Sequence, residues 1–306
     1  MITMFNTMPS PVLPRSRRRR SIIGSLLLAT AVLLGGCSAI KLGYGQGPAL
    51  AFNWLDEWVD FDDAQSLRVR RGLDDWFAWH RRTQLRDYAE LLARAEAEIL
   101  EPTTVERACR WSEDLRARIT PALARAMPAL VDVALTLKPP QIANVARKYA
   151  RRNAEYRDDF LQPDPARRQR AFVKRNIERA EKLYGALSPA QRELVARWSA
   201  DSPFDPEVSF AEQRLRQEDA LQTLRRLAGG SVAPGDARGE IQAYVERVER
   251  SPREPFRRYV AALRSYNCRY AAALHNSTSA TQREAAARTL QGYRDDMREL
   301  AAEAAT

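Results

Sequence analysis

Residues 166–187 read ARRQRAFVKRNIERAEKLYGAL and show the periodicity that decides the fold. Apolar residues recur there every three or four positions, which places them on one face of an α-helix. Charged residues such as Arg168 and Glu178 fill the other positions. The segment therefore predicts an amphipathic helix. Its buried face is predicted to hold Phe172, Val173, Asn176, Ile177, Ala180, Leu183, Tyr184 and Leu187.

The next residues, Leu187-Ser188-Pro189-Ala190-Gln191, are typical of a helix start. Ser188 can cap the helix, Pro189 suits the first helical position, and the Gln191 side chain can accept the N–H of the capping residue. Two other segments also place glutamine four residues after an apolar residue. They are FDDAQ at 61–65 and LKPPQ at 137–141.

Apolar stripes of the same period run through nearly all of the remaining chain, and no segment shows sustained alternation. The sequence therefore predicts an all-α fold, arranged as an antiparallel multi-helix bundle or an array of bundles, because each stripe must be covered by another helix. The predicted stripes lie at 63–100, 104–120, 122–137, 140–161, 189–200, 206–228, 237–250, 256–274 and 290–300.

The N-terminus has the three parts of a bacterial secretory signal. A basic part at 15–20 precedes an apolar part at 21–34, and the run Leu34-Gly35-Gly36-Cys37 follows. Fourteen apolar residues are short for a membrane span, which needs about 20. We expect a signal peptide at 1–36, a glycine-rich lipidated tether at 37–48 and a helical domain at 49–306.

The LGGC run resembles the lipobox of bacterial lipoproteins. The resemblance implies a thioether diacylglycerol on Cys37, cleavage before it, and acylation of the new amine with a fatty acid such as palmitate. Ser38 implies sorting to the periplasmic face of the outer membrane, with the inner membrane as the alternative. An ordinary signal peptide with a chance cysteine is the alternative to lipidation.

Net charge gives little support for a nucleic-acid partner. Five of the 49 basic residues lie in the leader, which has no acidic residue, so the mature chain carries 44 basic and 39 acidic groups. That excess is small and spread along helices, whereas nucleic-acid binders concentrate it on one face. Weak attraction to anionic lipid remains compatible with it.

Residues 43–92 resemble an uncharacterised family of proteobacterial lipoproteins. The resemblance is carried by Gly43-Tyr44 with Pro48, by Trp54, Asp56, Trp58 and Asp60, and by Trp79-His80-Arg81. It implies the location and the helical fold but no activity. Separately, LSPAQ at 187–191 resembles the LTxxQ motif of small periplasmic helical chaperones, although a plain capping box explains the same residues.

Aromatic residues crowd the start of the mature chain. We interpret them as a core between the first helices. The alternative is a ligand groove or a membrane-facing patch near the anchor, because an indole ring is apolar and its N–H is polar. The aromatic residues are Trp54, Trp58, Phe61, Trp76, Phe77 and Trp79, and the candidate ligand patch consists of Trp54, Trp58, Trp76, Trp79 and Arg81.

His80 is the candidate for chemistry, since it follows an acidic segment that includes Asp56 and Asp60. A histidine near carboxylates can act as a general base or bind a metal. No HExxH motif or other metal-ligand spacing accompanies it. We therefore favour a structural histidine one turn after Trp76, and we expect no metal and no cofactor.

Cys109 and Cys268 remain after Cys37 is lipidated. They can form a disulfide in an oxidising compartment. Cys109 lies on the apolar stripe of its helix and Cys268 lies off its own, which favours two separate thiols over a bond.

The leading hypothesis is a non-enzymatic envelope lipoprotein that binds another envelope protein or a cell-wall component, with a chaperone-like role for unfolded outer-membrane proteins as one form. The alternative is a hydrolase that acts on an envelope polymer or lipid through His80 with Asp56 or Asp60. A spacer between membrane and cell wall is a third hypothesis.

Overall fold

The computed structural model describes residues 39–230, 232–233 and 235–303. The predicted signal peptide and Cys37 lie outside these residues. Every regular element in the described part is an α-helix, which confirms the all-α prediction. The helices are α1 (Ala39–Gly45), α2 (Gly47–Val59), α3 (Asp63–Thr83), α4 (Leu85–Glu98), α5 (Val105–Ala117), α6 (Ile119–Ala134), α7 (Pro139–Phe160), α8 (Pro165–Tyr184), α9 (Pro189–Ala200), α10 (Pro206–Ala228), α11 (Ala237–Glu249), α12 (Glu254–Asn276) and α13 (Ala280–Ala302).

Helix α8 ends earlier than the apolar stripe suggested. Gly185 follows Tyr184 with φ +75, a left-handed conformation that glycine adopts at low cost and that stops the helix. Leu187 is thus buried outside α8, directly before the Ser188 cap of α9. The predicted cap is confirmed, with Ser188 as cap, Pro189 in the first turn and Gln191 closing the capping box.

Two other predicted boundaries differ from the structure. The stripe at 63–100 is divided at Gln84 into α3 and α4. The segment expected to be a tether contains α1, and α2 already begins at Gly47. A side chain at Gly47 would collide with Phe77, because an added Cβ would lie 2.4 Å from a ring carbon. This close approach requires glycine there.

Residues from Gly47 onward form one compact unit. Its most extensive contact joins α13 to α4, so the last helix packs on one of the first. Further contacts join α12 to α5, α10 to α7, α2 to α3, α8 to α9 and α3 to α6. The contacts between helices distant in sequence close these helices into a bundle array.

Two apolar clusters form the described core. One is built by α6, α10 and α11 and consists of Met127, Ala134, Leu227, Ala237 and Ile241. The other involves α8, α9, α12 and the residue before α9, and it consists of Ala180, Leu187, Val195 and Leu274.

The glutamines of the repeated cap motif pair with each other across the fold. Gln65 Nε2 donates to the carbonyl of Thr136 at 2.8 Å, and Gln141 Nε2 donates to the carbonyl of Asp60 at 2.8 Å. The two side-chain amides also bond to each other, with the shorter contact at 2.6 Å. Each glutamine thus holds its own helix cap and the segment just before its partner's cap.

A second pair repeats this arrangement. Gln191 Nε2 donates to the carbonyl of Ser277 and Gln282 Nε2 to the carbonyl of Ala186, both at 2.9 Å. Their amides bond reciprocally at 2.8 and 3.0 Å. In both pairs, each amide reaches the carbonyl two residues before the partner's cap. The described part of the chain therefore contains two copies of one helix-start joint.

A disulfide joins α5 to α12 through Cys109 and Cys268, whose Cα atoms lie 5.2 Å apart. Separate thiols were the favoured interpretation, and the structure corrects it. The correction follows from the burial of Cys268, which is 4% exposed although it lies off the predicted stripe of its helix. Because α5 packs on α12, the buried face of α12 is wider than its apolar periodicity predicts. The periodicity of α12 alone therefore does not place Cys268 on the buried face.

No helix in the described part of the chain is both long and apolar enough to cross a membrane.

Candidate functional site

The aromatic residues near the start of the helical unit fall into two groups. Trp76 lies on α3, donates its indole N–H to the carbonyl of Ala122 at 2.9 Å, and contacts the rings of Phe77 and Trp79. This group joins α3 to α6, as a core interpretation requires. Its Trp79 and Trp76 also contact His80.

The second group lies on α2. Trp54 and Trp58 contact each other at 5.7 Å between ring centroids, and Trp58 meets Tyr149 of α7 edge to face at 5.5 Å. Trp58 is partly buried by this contact, whereas Trp54 is 53% exposed. Arg81, also assigned to the candidate patch, lies 3.8 Å from Glu303 near the end of the chain.

His80 is held among aromatic rings. It stacks on Trp76 with a centroid distance of 4.7 Å and an interplanar angle of 18°, and Tyr88 meets it edge to face at 5.4 Å. Burial disfavours the charged imidazolium and lowers the pKa of His80 to about 4. The imidazole is therefore neutral at neutral pH.

Asp56 and Asp60 shape the turn after α2. The Asp56 carboxylate accepts the backbone N–H of Phe61 at 2.9 Å. Asp60 takes a left-handed conformation with φ +66, and its carbonyl accepts from Gln141. These contacts give both residues a structural role. Within the residues that the structure describes, no group of three His, Cys, Asp or Glu side chains is arranged to hold a metal ion.

The lowered pKa of His80 predicts an acid-sensitive stability. The unfolded chain binds a proton near pH 6.5, and the folded protein resists binding it until about pH 4. The stability that the neutral His80 side chain contributes is therefore fully present above pH 6.5, and this contribution is lost as the pH falls from 6.5 to about 4. After allowance for solvent screening, we expect the wild type to lose about 1–2 kcal/mol more than His80→Gln over this range. Urea unfolding of both proteins at several pH values measures the difference, and parallel pH profiles would contradict it.

An open groove of about 530 Å³ lies between α8 and α9. Val173, Ile177 and Ala196 provide its apolar lining. Both signs of charge surround them, from Arg170, Lys174, Glu178, Glu181 and Arg192. Arg192 and Glu181 form an ion pair at the edge, with N···O 2.5 Å.

Sequence reasoning missed three features. The groove was missed because Val173 and Ile177 look like core residues in the helical pattern. Gln282 was missed because Thr278 stands where the other motifs have an apolar residue, although the spacing Ser279-x-x-Gln282 is a capping signal. The third is an ion cluster in which Glu212, 4% exposed, accepts from Arg253 at 2.6 and 2.8 Å and from Arg216 at 2.9 Å.

Comparison with known proteins identifies a family for this chain. Residues 57–232 match a family of unknown function, DUF6279. Neither a curated protein nor a solved structure matches the chain. The matched region begins within α2 and includes the Trp79-His80-Arg81 run, both glutamines of the first pair and the groove between α8 and α9. Since it spans more than half of the sequence, the chain belongs to the family of unknown function DUF6279.

Proposed function

We propose that the protein is an exported, lipid-anchored binding protein of the bacterial envelope, whose partner is a polypeptide with exposed apolar side chains. The observation that carries the binding role is the groove between α8 and α9. Its lining is apolar and its rim carries both charges. Such a surface suits a segment that has one apolar face and one polar face, as an amphipathic helix has.

Two observations support export. The lipobox-like run at 34–37 precedes the helical unit, and Cys109 and Cys268 form a disulfide. Disulfides persist in oxidising compartments and are rare in the cytosol. A bond that joins α5 to α12 therefore fits a domain that works outside the cytoplasm. We assign it to the periplasmic face of the outer membrane because Ser38 follows the lipobox-like cysteine.

The surroundings of His80 favour binding over hydrolysis. A general base for hydrolysis needs a cleft and access to a water molecule. His80 instead stacks on Trp76, and Asp56 is engaged in the turn after α2.

The experiment uses the full-length lipoprotein in phospholipid vesicles and a urea-unfolded client protein. After dilution of the client, the pelleted fraction is measured with and without the lipoprotein. We expect the wild type to keep the client out of the pellet. Val173→Glu should lose this effect because a carboxylate enters the apolar lining.

Val208→Glu is the matched control, since Val208 is an exposed apolar residue of α10 that does not line the groove. It should protect the client as well as the wild type does. A pelleted fraction unchanged by excess wild type would overturn the binding role.

A further inference from the structure

The first helix of the compact unit presents an apolar face to solvent. Leu50 and Trp54 lie one helical turn apart on α2 and are 58% and 53% exposed. Phe52 lies on the opposite, inner face of the same helix and is 4% exposed. Leu50 and Trp54 together form a small exposed apolar patch, a kind of surface that can contact a membrane or a partner.

The position of Trp54 is fixed by aromatic contacts. Its ring rests on Trp58, and Trp58 rests on Tyr149 of α7. Asn144 of α7 further binds the carbonyl of Trp58 at 3.0 Å. The exposed indole of Trp54 thus packs on side chains that join α2 to α7.

Positively charged side chains of α7 lie next to Trp58, at Glu57. Lys148 and Arg151 both contact Glu57 at 2.8 Å, and these contacts lower the pKa of Glu57 to about 2. The exposed Arg147, one turn before Arg151, binds Asn144 at 3.0 Å. Arg151 also lies 3.8 Å from Glu155, so three cations accompany two carboxylates, an excess of positive charge that favours anionic phospholipid headgroups.

We infer that the face formed by Leu50 and Trp54 inserts into the headgroup region of the membrane that carries the lipid anchor. This inference rests on the anchoring part of the proposed function. Leu50 follows Cys37 by only thirteen residues, so an acyl anchor at Cys37 leaves the start of α2 within reach of the bilayer. Indole rings favour that depth, because the ring is apolar and its N–H needs a polar partner.

The test places the full-length protein in vesicles of phosphatidylethanolamine and phosphatidylglycerol whose acyl chains carry bromine, a contact quencher of indole fluorescence. We expect part of the emission to be quenched relative to unbrominated vesicles. Trp54→Phe should remove most of this quenching. Trp198→Phe should retain it, since Trp198 packs on Tyr266 and Tyr270 within the fold.

Flotation of the vesicles in the same samples distinguishes a failure of the lipid anchor from a failure of the insertion of Trp54. If the protein floats with the lipid and Trp54→Phe is quenched as strongly as the wild type, the inference is wrong and the anchor stands. If the wild type does not float, the anchor is wrong, and the membrane-facing role of Trp54 is overturned with it.

Discussion

Replacing Cys109 and Cys268 together by serine is expected to lower the free energy of unfolding by about 5 kcal/mol. The two cysteines are 159 residues apart in the chain, so the disulfide closes a long loop and removes many conformations from the unfolded state. The bond also holds α5 against α12 at a position where Cys268 is buried. Urea unfolding of the oxidised wild type and of the double variant measures the loss.

Reduction provides the matched control. Dithiothreitol should bring the wild type to the stability of the double variant and should leave the double variant unchanged. Alkylation before reduction should label neither Cys109 nor Cys268. A wild type whose unfolding midpoint does not respond to dithiothreitol would contradict a stabilising bond.

Gln191→Ala is expected to lower the free energy of unfolding by about 3 kcal/mol. The change removes the acceptor for the N–H of Ser188 and the donor to the carbonyl of Ser277. It also removes the two hydrogen bonds between the side-chain amides of Gln191 and Gln282. The double variant with Gln282→Ala should lose less than the sum of the two single variants, by at least about 1 kcal/mol, because the two amides bond to each other.

The first glutamine pair supplies the comparison. A cycle on Gln65 and Gln141 should show coupling of the same sign, since these amides make the same set of bonds. A mixed cycle on Gln141 and Gln191, which belong to different joints, should be additive within about 0.5 kcal/mol. Additivity within either pair would show that the joints do not act as units.

Local signals in the sequence were sufficient to predict the fold class and many helix boundaries. Helix α9 begins at Pro189 as predicted, because Ser188 and Gln191 satisfy backbone groups within three residues of each other. The break at Gln84 was missed because that residue keeps a helical backbone and no glycine or proline marks it.

Contacts between distant segments were beyond the reach of these local signals. The capping role of Gln65 and of Gln141 follows from spacing, but their pairing depends on how α3 and α7 pack. The same holds for the disulfide, since the burial of Cys268 is set by α5 rather than by its own helix.

The candidate site was only partly predictable. The sequence shows the aromatic cluster at 54–79 and favours a core, but packing decides between core and surface separately for each residue. Trp76 joins α3 to α6, whereas Trp54 faces solvent. Periodicity alone gives Phe52 and Trp54 similar weight on a short helix, and the neighbouring helix decides which of them is buried.

The mass of the mature N-terminus most directly tests the central claim, that acyl chains on Cys37 hold this helical unit at a membrane. The protein is extracted from cell membranes and its N-terminal peptide is measured by mass spectrometry. We predict a peptide that begins at Cys37 and carries a diacylglycerol and an amide-linked fatty acid. A peptide that retains residues before Cys37, or one that carries no lipid, would contradict the claim.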